Sequence, residues 1–134
     1  MSTQIRILVV DDEEVIREAC QRILRRAGHT VDLASNGEHA LKLIRRIHYD
    51  LALIDIKMPV LDGLGLMDIM RREYEDIAIV VMTGHGTSET AVQALKAGAT
   101  DFLTKPFSPN ELRQAVKGAI ARLIEARRPE NSHA

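Results

Sequence analysis

Short apolar runs alternate along this chain with longer segments of helical period. The runs are Ile5–Val10, Val31–Ala34, Leu51–Ile54, Ile77–Met82 and Phe102–Leu103. Leu8-Val9-Val10 and Ile79-Val80-Val81 are unbroken, and continuous rather than alternating apolarity predicts strands buried on both faces, as in a parallel sheet. Between the runs the period becomes helical. Val15, Ile16, Ala19, Cys20, Ile23, Leu24 and Ala27 form one stripe, and Gly28 supplies a stop. Ser35 with Glu38 three residues on reads as a capping box opening a second helix, whose apolar side is Ala40, Leu41, Leu43, Ile44 and Ile47. A third helix is predicted over Gly63–Glu73, and a fourth over Ser88–Ala97, ended by Gly98. Ser108-Pro109-Asn110-Glu111 opens the fifth, with Ser as N-cap, Pro at the first helical position and Glu at the third. Its stripe is Leu112, Ala115, Val116, Ala119, Ile120, Leu123 and Ile124. Strand and helix alternate five times. That order predicts an α/β fold: a (βα)5 doubly wound parallel sheet with helices on both faces and right-handed crossovers. Residues 4–126 are expected to form one domain, and 127–134 a flexible tail or the start of a linker.

Composition narrows the function. The 134 residues suit one domain, and 46% are hydrophobic with four aromatics and no Trp, so the core is aliphatic. Eighteen basic and 19 acidic residues leave a net charge of −1, which gives no general footprint for nucleic acid or membrane. Scarce aromatics also argue against a base-stacking platform. Cys20 is the only cysteine, which excludes an intramolecular disulfide and a multi-Cys zinc site. The longest apolar run, residues 77–82, falls far short of the roughly 20 residues that span a bilayer. The N-terminus carries no cationic-then-apolar signal pattern, so a cytoplasmic domain is expected.

Open α/β sheets bind ligands beyond the C-terminal ends of their strands. There the first predicted strand runs into Asp11-Asp12-Glu13-Glu14, the third into Asp55, the fourth into Thr83 and the fifth into Thr104-Lys105-Pro106. Clustered carboxylates need a neutralising cation, and oxygen donors without His or Cys select a hard ion such as Mg²⁺. Carboxylate, metal, lysine and hydroxyl together form a phosphoryl-transfer constellation in which aspartate can be the nucleophile. Taken singly, each residue has a plainer reading: Asp11 or Asp12 as a helix cap, Asp55 as a turn residue, Lys105 as a solvated lysine. Their joint position at one sheet edge is what carries the chemistry.

The sequence resembles the receiver domain of bacterial response regulators, the phosphoacceptor half of two-component signalling, over about Arg6 to Ile124. The resemblance rests on Val9-Val10-Asp11-Asp12-Glu13, Leu53-Ile54-Asp55-Ile56-Lys57-Met58-Pro59, Leu61-Asp62-Gly63, Met82-Thr83-Gly84 and the tract Ala97 to Phe107. It implies a flavodoxin-like sheet of order 2-1-3-4-5. It also implies phosphorylation of Asp55 by a sensor histidine kinase or phosphotransfer protein. Mg²⁺ (with Mn²⁺ or Ca²⁺ as substitutes) would be held by Asp11, Asp12, Asp55 and the Lys57 backbone carbonyl. Lys105 matches the lysine that bonds a phosphoryl oxygen. Thr83 and Phe102 match a switch pair that remodels the face made by the fourth helix, fifth strand and fifth helix, where Val92, Lys96 and Arg113 would meet an effector or a second copy. A cis peptide before Pro106 is implied too. Lys57 and His85, two residues past Asp55 and Thr83, match positions that tune phosphate lifetime. By the same resemblance the domain is no enzyme beyond its own phosphorylation and dephosphorylation, and it makes no direct contact with nucleic acid or membrane. The tract from Met82 to Phe107 looks most like receivers of the nitrogen-regulation type, which precede ATPase and DNA-binding domains.

Rival readings fit less well. A haloacid-dehalogenase-type phosphatase needs an acid two residues past its nucleophile, where this chain has Lys57. A receiver-like module that is never phosphorylated would not need every acidic, hydroxyl and lysine position. A flavodoxin would meet Asp11-Asp12-Glu13-Glu14 where its phosphate loop should be, and these acids would repel the phosphate of FMN. The five histidines show no metal-ligand spacing and are expected at the surface. Cys20 is expected in the core, and Arg25-Arg26, Arg45-Arg46 and Arg71-Arg72 on solvated helix faces.

Overall fold

The computed structural model describes residues 4–57, 61–74, 76–84 and 88–127, with Ser88 and Thr90 described by their backbone alone. The chain runs β1 (Arg6–Val10), α1 (Glu14–Arg26), β2 (Thr30–Ala34), α2 (Gly37–Arg46), β3 (Leu51–Asp55), α3 (Gly63–Glu73), β4 (Ala78–Thr83), α4 (Ser88–Lys96), β5 (Asp101–Thr104) and α5 (Pro109–Arg127). The strands form one sheet of order β2-β1-β3-β4-β5, and every pairing is parallel. Helices pack on both faces, so central strands are apolar at every position; all five residues of β3 are buried.

Side chains alternate between two cores. Leu8, Val10, Ile54, Ile79 and Val81 point to a core completed by α2, α3 and Ala94 of α4. Ile7, Val9, Leu51, Leu53, Val80, Met82 and Leu103 point to the other, completed by α1 and α5. Cys20 is fully buried there, and burial pushes its thiol pKa up to about 12.

Helix ends follow local chemistry. α1 and α4 close on Gly28 (φ +96°) and Gly98 (φ +111°), each with the paired backbone bonds of a Schellman motif: Gly28 to Arg25 and His29 to Leu24, then Gly98 to Leu95 and Ala99 to Ala94. At α5 the Ser108 and Glu111 side chains exchange bonds with each other's backbone N–H, the reciprocal capping box.

Several details differ from the sequence expectation. The N-cap of α2 is Asn36, not Ser35: its extended backbone lets the side chain accept from the His39 N–H at 2.8 Å. Gly37 then abuts Leu61, where a Cβ would come within 2.7 Å of the carbonyl oxygen. Val15 is 75% exposed, because its line on α1 continues through the exposed Arg22 and Arg26 while burial centres on Cys20 and Leu24. His29 is half-buried and accepts the Ile5 N–H on Nδ1 at 3.3 Å. Arg71 is not on a solvated face; it reaches back to the Ile77 carbonyl and lies against Gly98. The expected break between 126 and 127 falls within the last turn of α5.

One glycine couples the fold to the C-terminal edge of β3. Gly63 opens α3, its N–H bonds to the Ile56 carbonyl at 2.9 Å, and a Cβ there would lie 2.6 Å from Ile56 Cα and closer still to the Asp55 carbonyl. Gly118, inside α5, has nothing within 4 Å of a Cβ. Gly63→Ala is therefore expected to destabilise by about 1–3 kcal/mol through overpacking. Gly118→Ala should stabilise by about 0.5–1 kcal/mol through unfolded-chain entropy. Urea unfolding of both variants checks the opposite signs.

Candidate functional site

Each group at the C-terminal edge of the sheet is placed by the strand before it. Asp11 follows β1 and stays tied to the sheet, its N–H bonding to the Ala34 carbonyl of β2 at 3.1 Å. The Arg17 guanidinium of α1 holds the Asp11 carbonyl at 2.8 Å, and the Glu13 N–H donates to Asp11 Oδ1 at 2.8 Å. Asp11 is fully buried. Asp55 ends β3 and is 5% exposed, with Oδ1 accepting the Lys57 N–H at 3.2 Å. Thr83 ends β4, is buried, and its Oγ1 has no hydrogen-bond partner among the described residues. Its carbonyl accepts the Lys105 N–H at 2.7 Å, and Lys105-Pro106 is a cis peptide.

Lys105 joins these elements. Its ammonium lies 2.6 Å from Asp11 Oδ2, 3.2 Å from Glu13 Oε1 and 3.3 Å from Asp55 Oδ2, with the side chain 12% exposed. Asp12 and Glu13 are exposed beside it. Ligand oxygens of Asp11, Asp12, Glu13 and Asp55 all lie within 4.8 Å of one another. Four carboxylates against one ammonium leave formal negative charge concentrated at this edge. The donors are all oxygen, so the set fits a hard divalent cation.

The electrostatics follow from crowding and burial. Burial, then the charge of Asp11, raises the Asp55 pKa above the ordinary carboxylate value; burial likewise raises that of Asp11. For Lys105, burial alone would lower the pKa. The bond to Asp11 and the charges of Asp11 and Asp55, with a bond to Glu13, outweigh it and hold the ammonium above the usual lysine range.

The sequence-derived residues Asp11, Asp12, Asp55 and Lys105 thus come together, with Lys57 two residues past Asp55 in the chain and exposed. Thr83 and Phe102 lie on the other side of the sheet: Phe102 pairs in register with Val81, two residues before Thr83, and is 37% exposed. His85, with Met58 and Pro59 of the same motifs, lies outside the described residues. Glu13 was missing from the sequence-derived site. Its place in the acidic run was visible, but its contact with a lysine 92 residues away was not.

A parallel sheet of order 2-1-3-4-5 with acids, a hydroxyl and a lysine at its switch-point edge defines a class, and comparison with known proteins places the chain in it. The family model described as response regulator receiver domain matches residues 7–117, and the chain belongs to that family. It is 39% identical over 115 residues to the regulatory protein AtoC of Escherichia coli, covering 86% of this chain and 25% of that protein. Among solved structures it is similar to the receiver domain of Francisella response regulator 1452 (TM-score 0.82, 33% identity, 88% of this chain and 98% of that one). It is similar as well to NtrX from Brucella abortus (TM-score 0.90, 35% identity, 93% of this chain and 29% of that one). The chain spans between 25% and 55% of the length of the curated relatives it matches. No helix among the described residues is long and apolar enough to cross a membrane.

Removing the Lys105 ammonium removes a charge that favours the ionised carboxylates. In Lys105→Met, Asp55 should therefore titrate at higher pH than in wild type. Carbon-detected NMR titration of the side-chain carboxyls reads this directly. An unchanged Asp55 titration would show that the lysine does not set the charge of the site.

Proposed function

We propose that this receiver domain accepts a phosphoryl group on Asp55 from a phosphohistidine of a sensor kinase or phosphotransfer protein. The observation that carries the reading is the single ammonium of Lys105 held between Asp11, Glu13 and the buried Asp55. A carboxylate oxygen of Asp55 attacks phosphorus in line. The new O–P bond forms as the N–P bond of the phosphohistidine breaks, and the leaving imidazole takes up a proton. Lys105 stays within reach of the incoming phosphoryl oxygens and offsets their charge. Asp11, Asp12, Asp55 and the Lys57 carbonyl would hold Mg²⁺, with Glu13 as a further donor; the ion, when bound, supplies additional neutralisation of phosphoryl charge.

Thr83 supports a switch role through its buried, unpartnered hydroxyl, which gains an acceptor once phosphoryl oxygens arrive on Asp55. Phe102 stands half-exposed on the neighbouring strand, free to follow. Phosphorylation would then shift a two-state equilibrium in the face made by α4, β5 and α5. Val92 and Lys96 are exposed there for an effector or a second copy, whereas Arg113, expected on the same face, is exposed beside the end of α1. In this reading residues 4–126 act as the receiver unit in the cytoplasm, turn over no substrate beyond their own phosphoryl group, and serve as the N-terminal part of a transcriptional regulator.

The central test is intact mass after incubation with acetyl phosphate and Mg²⁺. Wild type should gain one phosphoryl group, labile to hydroxylamine, and Asp55→Asn should gain none. No gain in wild type would remove the reading. The exposed Lys57 borders the Asp55 carboxylate through its backbone. Lys57→Ala is therefore expected to change the dephosphorylation rate while leaving phosphorylation intact, which a chase after removal of acetyl phosphate measures. An unchanged rate counts against lifetime tuning by this residue.

A further inference from the structure

Away from the acidic edge, the α1–α5 side of the molecule carries a feature that phosphoryl transfer does not use. A groove of about 550 Å³ lies between the end of α1 and the outer side of α5, with Leu24, Ala27, Val116, Ile120 and Ile124 in its lining. A hollow of about 380 Å³ adjoins it, sharing Ala27 and Arg113 and adding Ile23 and Pro109. Ile124 belongs to the apolar stripe of α5 yet is 43% exposed. Arg22, Arg26, Arg113 and Lys117 line the two hollows, and no aspartate or glutamate does among the described residues. In a chain with 18 basic and 19 acidic residues, this is a marked local segregation of charge.

The chemistry selects among occupants. A second copy packed symmetrically on this face would set four cations against four, which like-charge repulsion disfavours. A nucleic acid would find mostly apolar walls, and the one aromatic ring in the lining among the described residues, His29, is half-buried with its Nδ1 tied to the Ile5 N–H, which leaves a poor platform for stacking bases. An amphipathic helix with an acidic polar face satisfies both parts of the surface. On α5 the lining runs from Arg113 to Ile124, about 16 Å of helix, which is room for three turns of a bound helix. We propose that this groove docks an acidic amphipathic helix of a partner protein. Apolar anchors at i, i+3 or i+4, and i+7 would lie along Ile23, Ala27, Ile120 and Ile124, and carboxylates would face the four cations. None of the lining residues belongs to the acidic cluster or contacts Lys105, so docking does not require a phosphoryl group on Asp55.

The test titrates the isotope-labelled full chain with a synthetic helical peptide of about five turns, carrying Leu at those anchor positions and Glu elsewhere. A matched peptide with Lys for Glu is the control. Amide shifts should move along α1 and α5 with the Glu peptide and not with the Lys peptide, and raising salt should weaken binding. The exposed pair Arg26→Glu/Lys117→Glu should bind at least about tenfold more weakly. Ile124→Ser, which leaves the charges in place, should also weaken binding. Asp55→Asn should bind like wild type, which separates this surface from the phosphoacceptor reading. Shifts mapping elsewhere, equal binding of the two peptides, no loss in either groove variant, or loss in Asp55→Asn would overturn the proposal. So would a wild-type dimer that Ile124→Ser dissolves, since the occupant would then be a second copy.

Discussion

Three carboxylates around one ammonium are the constraint on which the rest of this molecule turns. Asp11, Glu13 and Asp55 carry like charges at short range, and with an effective dielectric near 20 two such charges 4 Å apart repel by about 4 kcal/mol. Lys105 makes the arrangement tenable by lying within 3.3 Å of all three. These groups are far apart in sequence, and only a parallel sheet with β1 beside β3 and β4 beside β5 brings their C-terminal ends to one edge. Strand order, the tie of Asp11 to Ala34 and the close seat of Gly63 against Asp55 and Ile56 all serve that convergence.

The pleat of the sheet divides the labour. Asp11, Asp55 and Lys105 continue the parity of Val9, Leu53 and Leu103, which face the α1–α5 core. Thr83 continues Ile79 and Val81, which face the core under α2, α3 and α4, and Phe102 is the register partner of Val81. Charge therefore gathers on one side of the sheet while the hydroxyl and the aromatic stand on the other. Thr83 ends its strand at the edge where the two sides meet: its carbonyl bonds to the Lys105 N–H, and its hydroxyl lacks a partner among the described residues.

Much of this was legible in the order of residues, for physical reasons. Strands buried on both faces must be apolar throughout, so β1, β3 and β4 announced themselves as runs. Acids at their ends stood out because a buried strand has no other use for them. What escaped was decided by neighbours distant in sequence. Ser35 and Asn36 are both capable caps, and the choice between them follows from how Gly37 packs against Leu61. Arg71 reads as solvated until α4 ends on Gly98 against it. Tyr49 gave no sign that it would be fully buried with its hydroxyl on Asp32 at 2.7 Å, a bond that, after burial itself, raises the phenol pKa. Glu13 was visible as an acid but not as a partner of Lys105.

Net charge misled in a related way. A sum of −1 describes a protein with no electrostatic footprint, yet the sum is made of unlike regions. Four carboxylates crowd one edge of the sheet, and four cations line the hollows between α1 and α5 with no acid beside them among the described residues. Fields at a surface depend on such local arrangement, since charges beyond about 10 Å are largely screened at moderate salt. The near-zero total is thus compatible with two surfaces of opposite preference, one suited to cations and the phosphoryl chemistry they support, the other to an anionic, apolar partner. The α1–α5 cations form no ion pair with the acids at the edge among the described residues, whose ion-pair partner there is Lys105, so each surface keeps its own charge.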